Sequence, residues 1–249
     1  MPRSIDKELK EIFEELKTTM SLHNELGYQF PLLSDRTVEY MEKGLKAANP
    51  AVFLSSPEKA LEDLREEIGD CTLCKLHIKR RHLVFGEGSA ESRLVFVGEG
   101  PGRQEDAIGK PFVGEAGELL TRIIKAMGLS RQDVYICNVV KCRPPQNRNP
   151  ERDEIEACIP FLKRQLEIIR PEVICTLGNV PTQELLGTRE GITRLRGKWC
   201  EYEGIPLMPT FHPAYIVRNK QRERELKGYV WQDIQMIMNK LGLEVKKNA

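Results

Sequence analysis

The chain has 249 residues, of which 40% are hydrophobic and 30% charged, with a formal net charge of +1. That length suits one large domain or a domain with an extension, and the composition is that of an ordinary globular protein. No apolar run approaches the roughly 20 residues that cross a bilayer, no secretory-type apolar core follows Met1, and the charge is too near zero for a strong nonspecific polyanion binder. The expectation is a cytoplasmic protein, monomeric, with no membrane partner.

Residues 1–55 carry Ile5, Leu9, Ile12, Phe13 and Leu16 at helical spacing, then Pro31 and Pro50, and no motif. They read as a mostly helical extension ahead of a domain over 56–249. Ser56-Pro57-Glu58 is a helix start, with a Ser cap and Pro at the first helical position. Leu61, Leu64 and Ile68 form its apolar stripe, it ends near Gly69, and Cys71 and Cys74 follow at once. LVFV (94–97) has the pattern of a buried strand and GEGPG (98–102) of a sharp loop. Leu119, Leu120, Ile123, Ile124 and Met127 mark a helix ending at Gly128. A second strand spans 134–140, and a helix over 151–169 holds Pro160 as a kink. A third strand, 173–177, stops at Gly178, and a short helix starts at Asn179. A fourth strand, 206–211, leads into His212-Pro213, and a last helix covers 226–241.

Strands alternating with helices predict a three-layer α/β/α sandwich around a mostly parallel four-stranded sheet. Ligands of such sheets sit beyond the carboxyl ends of the strands. The loops at 98–114, 138–149 and 212–219 are therefore expected to meet at one rim.

Seven cysteines at these spacings suggest metal or redox chemistry rather than a disulfide scaffold. Cys137 and Cys175 sit inside apolar strands, where cysteine is a small buried hydrophobe, and Cys200 gives no signal. Cys71 and Cys74 form a C-x2-C pair. Cys142, in a loop just after a strand, and Cys158, on the next helix, complete a set of four thiolates. Four thiolates suit tetrahedral zinc or an iron–sulfur cluster; the wide second pair favours the cluster, and spacing leaves both open.

At the expected rim, the GEGPG backbone can hold an anion or a base edge, besides serving as a tight turn. Phe112 lies between glycines, away from any periodic core face, and suits stacking on a flat ring. Asn138 is the polar residue of an apolar strand end. Its carboxamide can accept from N3–H of a pyrimidine and donate to O4, which separates uracil from cytosine. His212 is one of only four histidines. Basic residues gather at Lys79, Arg80 and Arg81; at Lys141, Arg143, Arg148 and Arg152; at Arg194, Arg196 and Lys198; and at Arg218, Lys220, Arg222 and Arg224. Taken singly each group reads as a solvated face, and beside the rim as contacts to phosphates.

Together these residues resemble the iron–sulfur, or type 4, uracil-DNA glycosylases. The likeness runs from about Cys71 to about Asn219 and rests on GEGPG, GKPFVGEAGELL, NVVKCRPPQNRNP, FHPAYIVRN and the four cysteines. It implies a [4Fe-4S] cluster on Cys71, Cys74, Cys142 and Cys158, and release of uracil from single- or double-stranded DNA to leave an abasic site, the first step of base excision repair. It further implies that Phe112 stacks on the flipped base, Asn138 reads its edge, and His212 hydrogen-bonds its O2. Gly100 would help hold the base through its backbone, Glu99 and Asn147 would place the water, and Glu105 would crowd a 5-methyl group. Arg143, Arg148, Tyr215 and Arg218 would meet the DNA, with Tyr215 or Ile216 wedging the stack.

The chain departs from the family pattern at Gly100, where alanine is usual. It has neither the Asp of the best-known uracil glycosylases nor the Gln, with a following-loop histidine, of relatives that attach covalently to DNA. Turnover without trapping is the expectation. The rival readings are a non-catalytic iron–sulfur DNA-damage-binding protein, and a nucleotide-binding enzyme, for which the loop lacks the Lys-Ser/Thr ending.

Overall fold

The computed structural model describes residues 56–244, so the extension predicted over 1–55 lies outside the described residues. The strands are β1 (Glu87–Gly88), β2 (Leu94–Gly98), β3 (Tyr135–Asn138), β4 (Val173–Leu177), β5 (Cys200–Tyr202) and β6 (Ile205–Thr210). The helices are α1 (Pro57–Ile68), α2 (Arg103–Ile108), α3 (Glu115–Ala126), α4 (Arg152–Ile169), α5 (Asn179–Leu186), α6 (Ile192–Leu195), α7 (Pro213–Arg218) and α8 (Glu223–Lys240). None of these helices is long and apolar enough to cross a membrane.

The sheet order is β1-β3-β2-β4-β6-β5. The four central strands are parallel, as expected; β1 and β5 add an antiparallel partner at each edge, making six strands rather than four. Both edges escape the sequence pattern because strands of two and three residues carry no period. α2 is a further difference, a short helix inside the 98–114 stretch expected as a rim loop.

Alternation along the strands builds two cores, one on each face. Leu94, Phe96, Ile136, Cys175 and Met208 face α3, α7 and α8. Val95, Val97, Cys137, Ile174 and Leu207 face α1 and α4. Each of these strand residues is essentially inaccessible, as in parallel sheets covered on both faces. Cys137 and Cys175 are the buried hydrophobes expected. Pro160 sits inside α4 without interrupting the helix.

β2 lies between β3 and β4, so the chain passes from β2 to β3 on one side and then crosses to β4 on the other. That arrangement opens a crevice above the strand ends. Gly98 pairs with Asn138 across the β2–β3 ladder, which brings the glycine loop and the Asn138 loop side by side.

Candidate active site and cysteine centre

A cavity of about 600 Å³ occupies that crevice. All the predicted base-site residues line it: Glu99, Gly100 and Glu105 after β2, Phe112 before α3, Asn138 at the end of β3, and His212 after β6. Asn147, Arg148, Tyr215 and Arg218 line it as well. Arg143 instead lines an adjoining cleft with Arg81 and Arg103; no periodic or motif signal marked Arg103.

Asn138 is 1% exposed, and its Oδ1 has no hydrogen-bond partner among the described residues. A buried carbonyl oxygen left unpaired costs about 1–3 kcal/mol, so an unmet acceptor in a cavity wall is a place for a ligand donor. Gly98 makes room for it. A Cβ at position 98 would lie 2.6 Å from Phe112 Cζ and would also collide with Asn138 Oδ1.

Phe112 is buried, and its backbone is left-handed with φ 51°. Such a conformation at a non-glycine residue is held by its surroundings. The Glu105 carboxylate accepts from the N–H groups of Val113 and Gly114, each at 2.9 Å, and of Gly102 at 3.1 Å. Arg131 donates to the carbonyls of Pro111 and Phe112 at 2.7 and 3.1 Å. The Glu105 carboxylate thus has a local task, clamping the two ends of this loop together. The Phe112 ring stacks on the His212 ring, with centroids 5.6 Å apart and planes inclined by 29°.

His212 caps α7, with Pro213 in the first helical position. Its Nδ1 accepts from Ala214 N–H at 3.0 Å, which leaves the proton on Nε2. Burial, with the nearby Arg218 charge adding to it, pushes its pKa down to about 4. His212 is therefore a neutral imidazole with an Nε2–H donor. Burial raises the Glu99 carboxyl above its usual range, and Arg218 opposes that rise. Asn147 Oδ1 is occupied, accepting from Arg143 Nε at 2.7 Å.

Gly100 has a packing role as well. A Cβ there would stand 2.7 Å from a methyl of the buried Val140 and 3.7 Å from the Pro144 ring. The Val140 methyl fills the space an alanine side chain would need.

The second centre lies where α1, the Cys142 loop and α4 meet. Cys71, Cys74, Cys142 and Cys158 line one small pocket, and all four are free thiols. Arg80 Nη1 donates to Cys142 Sγ at 3.3 Å, and Lys141 N–H donates to Cys158 Sγ at the same distance. Burial raises the thiols of Cys74 and Cys142 and pushes Cys158 up to about 11. Among the described residues no three His, Cys, Asp or Glu side chains close on a single point as a lone metal ion requires. The four cysteines line their pocket together with Ile68, Leu83 and Phe161.

The match to known proteins falls on this same framework. A family model described as the uracil DNA glycosylase superfamily matches residues 85–235. A type-4 uracil-DNA glycosylase of Thermotoga maritima is 48% identical over 180 residues, covering 72% of this chain and 93% of the relative. Type-4 enzymes of Saccharolobus solfataricus and Sulfurisphaera tokodaii are 48% and 46% identical, covering 64% and 68% of this chain and 78% and 80% of theirs.

The chain belongs to the uracil-DNA glycosylase superfamily.

Several basic residues of this superfamily member sit otherwise than their sequence clusters suggest. Arg80 is almost buried and bridges Asp70, the Cys71 carbonyl and Cys142. Lys141 is 1% exposed. Arg148 forms a two-point ion pair with Glu154 at 2.7 and 2.8 Å, Arg152 pairs with Glu156 and Glu184, and Arg196 pairs with the buried Asp233. Arg218, Arg143, Arg103 and Arg81 have no carboxylate partner among the described residues. The clusters merge two populations, because charge in a sequence does not say which partner lies across the fold.

Proposed function

We propose that the chain is a monofunctional uracil-DNA glycosylase that hydrolyses the N-glycosidic bond of deoxyuridine in DNA, as a monomer. The observation that carries this reading is the buried, unpartnered Asn138 Oδ1 in a cavity that also holds Phe112 and a neutral His212. Uracil N3–H donates to Asn138 Oδ1, and the Asn138 amide donates to O4. Cytosine has no proton at N3 and would face that oxygen with another acceptor. Extrusion of the nucleotide costs a few kcal/mol, which stacking on Phe112 and the edge contacts offset.

His212 Nε2–H donates to uracil O2. As the C1′–N1 bond lengthens, its electron pair passes to the uracil ring and charge grows on O2. A fixed donor there stabilises the leaving anion, at about 2.7–4 kcal/mol for one such group. A water adds to C1′, its proton passing to the Glu99 carboxylate or to solvent. Asn147, held by Arg143, orients that water through its amide. Gly100 contributes only its backbone.

Arg218 and Arg143, with Arg81 and Arg103 in the adjoining cleft, supply the unpaired cations that a phosphate track needs. Arg148 serves through its ion pair with Glu154, holding the 145–151 turn. Ile216 is 1% exposed while Tyr215 is 37% exposed, which favours Tyr215 as the residue that fills the gap in the stack.

The cysteine pocket fits a [4Fe-4S] cluster. The donor set is all sulfur, and two of the four sulfurs already accept N–H bonds of the kind that stabilise ligating thiolate. When bound, the cluster supplies a structural staple between α1, the Cys142 loop and α4.

The test is incubation with a single-uracil oligonucleotide. Free uracil should appear together with an alkali-labile site, and no strand cleavage should occur without alkali or heat. DNA binding with no uracil released would instead support the non-catalytic damage-binding reading, which no feature of the site favours.

A further inference from the structure

β3 ends at Asn138, but β1 pairs with it only at Tyr135 and Ile136. Among the described residues the outer side of the sheet therefore has no strand at the level of Asn138. Lys141 takes that place. Its Nζ donates to the Asn138 carbonyl at 2.8 Å and to Gln165 Oε1 at 2.5 Å. Gln165 in turn donates from Nε2 to the Phe85 carbonyl at 3.0 Å and to Tyr135 Oη at 3.1 Å. Lys141 and Gln165 are both essentially inaccessible. The Lys141 backbone is fixed on both sides: its N–H donates to Cys158 Sγ, and its carbonyl accepts from Val84 N–H at 2.8 Å.

Burying a lysine is costly unless its donors are met. A methionine would fill the same volume without that cost, but it would leave the Asn138 carbonyl bare. Asn138 bears the unpartnered Oδ1, so a small rotation of this peptide swings that oxygen across the cavity.

We propose that Lys141 is a positioning residue for base recognition. It stands in for the missing strand at the Asn138 peptide, and Gln165 holds it there. This rests on the role given to Asn138 above, and it assigns to the reaction a lysine that never touches the DNA. Lys141 and Gln165 thereby connect the base-reading strand end to helix α4, which also carries Cys158.

A double-mutant cycle separates positioning from general support. Single-turnover uracil release at saturating enzyme is compared for the parent, Lys141→Met, Asn138→Ala and the double variant. Misplacement of a recognition group costs up to about a hundredfold. Lys141→Met should slow the parent by about tenfold or more, and slow the Asn138→Ala enzyme by less than about threefold, because coupled residues are not additive. Hydrogen exchange supplies a readout independent of activity: the peptide over 135–142 should exchange faster in Lys141→Met, with the β4 peptide unchanged. Equal losses in both backgrounds, or unchanged exchange over 135–142, would overturn the proposal. If Lys141→Met does not fold, Gln165→Leu goes through the same cycle and additivity there overturns it equally. A parent that releases no uracil would sink the glycosylase reading, whereas an active parent with an additive cycle sinks only this one.

Discussion

The base cavity and the cysteine centre are built from the same stretch of chain and finished in opposite ways. Asn138 and Cys142 lie four residues apart, at the end of β3 and just beyond it. In the cavity, hydrogen-bonding capacity is left open: among the described residues Asn138 Oδ1 has no partner, and the His212 ring keeps a proton on Nε2, the nitrogen that the Ala214 N–H does not use. In the cysteine centre, two sulfurs receive N–H groups from Arg80 and from the Lys141 backbone. An open acceptor and donor suit a ligand that comes and goes. Sulfurs held by fixed donors suit a group that stays.

The largest effect should fall on the open side. His212→Ala should lower single-turnover uracil release by about a hundredfold to a thousandfold, the range for one oxyanion donor, and the lost cap of α7 should cost about 1 kcal/mol of stability. Glu99→Gln should cost less, about tenfold. If Glu99→Gln proved the more damaging, water activation would outweigh leaving-group stabilisation and the ranking would reverse.

Cys158→Ala should show the converse pattern. Losing a ligand of a structural centre should cost about 3 kcal/mol, roughly 6–12 °C in Tm for a domain of this size, as followed by calorimetry. The rate per folded molecule should fall much less than in His212→Ala. A Cys158→Ala protein with an unchanged Tm would mean the centre is not a staple.

Gly100→Ala is a smaller probe. It overpacks against Val140, which typically costs about 1–3 kcal/mol, and Val140→Ala should recover most of that loss in the double variant. If Val140→Ala fails to restore stability, the glycine is kept for another reason.

The smallest effect concerns pH. The His212 pKa is lowered to about 4 from 6.5, so the folded protein favours the neutral ring. Its contribution to stability is complete above pH 6.5 and is lost as pH falls from there toward 4, where the unfolded chain binds the proton more readily. With Glu99 replaced by Gln, so that only His212 is followed, the rate of uracil release should accordingly be flat between about pH 5.5 and 8. An inflection near 6.5 would show His212 titrating as a free histidine.

Much of this is legible in the sequence, for reasons that differ by region. The four parallel strands are apolar runs buried on both faces, and such runs read plainly. The rim residues stood out because glycine, asparagine and histidine interrupt those runs at strand ends. Other features depend on partners far away in the chain. Glu105 looks like a side chain free to face the base, yet its carboxylate is consumed by Gly102, Val113 and Gly114. Lys141 was grouped with phosphate-facing arginines because its neighbours are basic. Its burial follows from Gln165, which lies 24 positions away.

The edges of the sheet bear on how the molecule behaves in a crowd. Exposed strand margins invite other chains to add on, and one remedy is to keep edge strands very short. Among the described residues the margins are the two residues of β1 and the three of β5, too little ladder to template a growing stack. A sheet closed off in this way can be present at high concentration along a polymer without its copies zipping to one another.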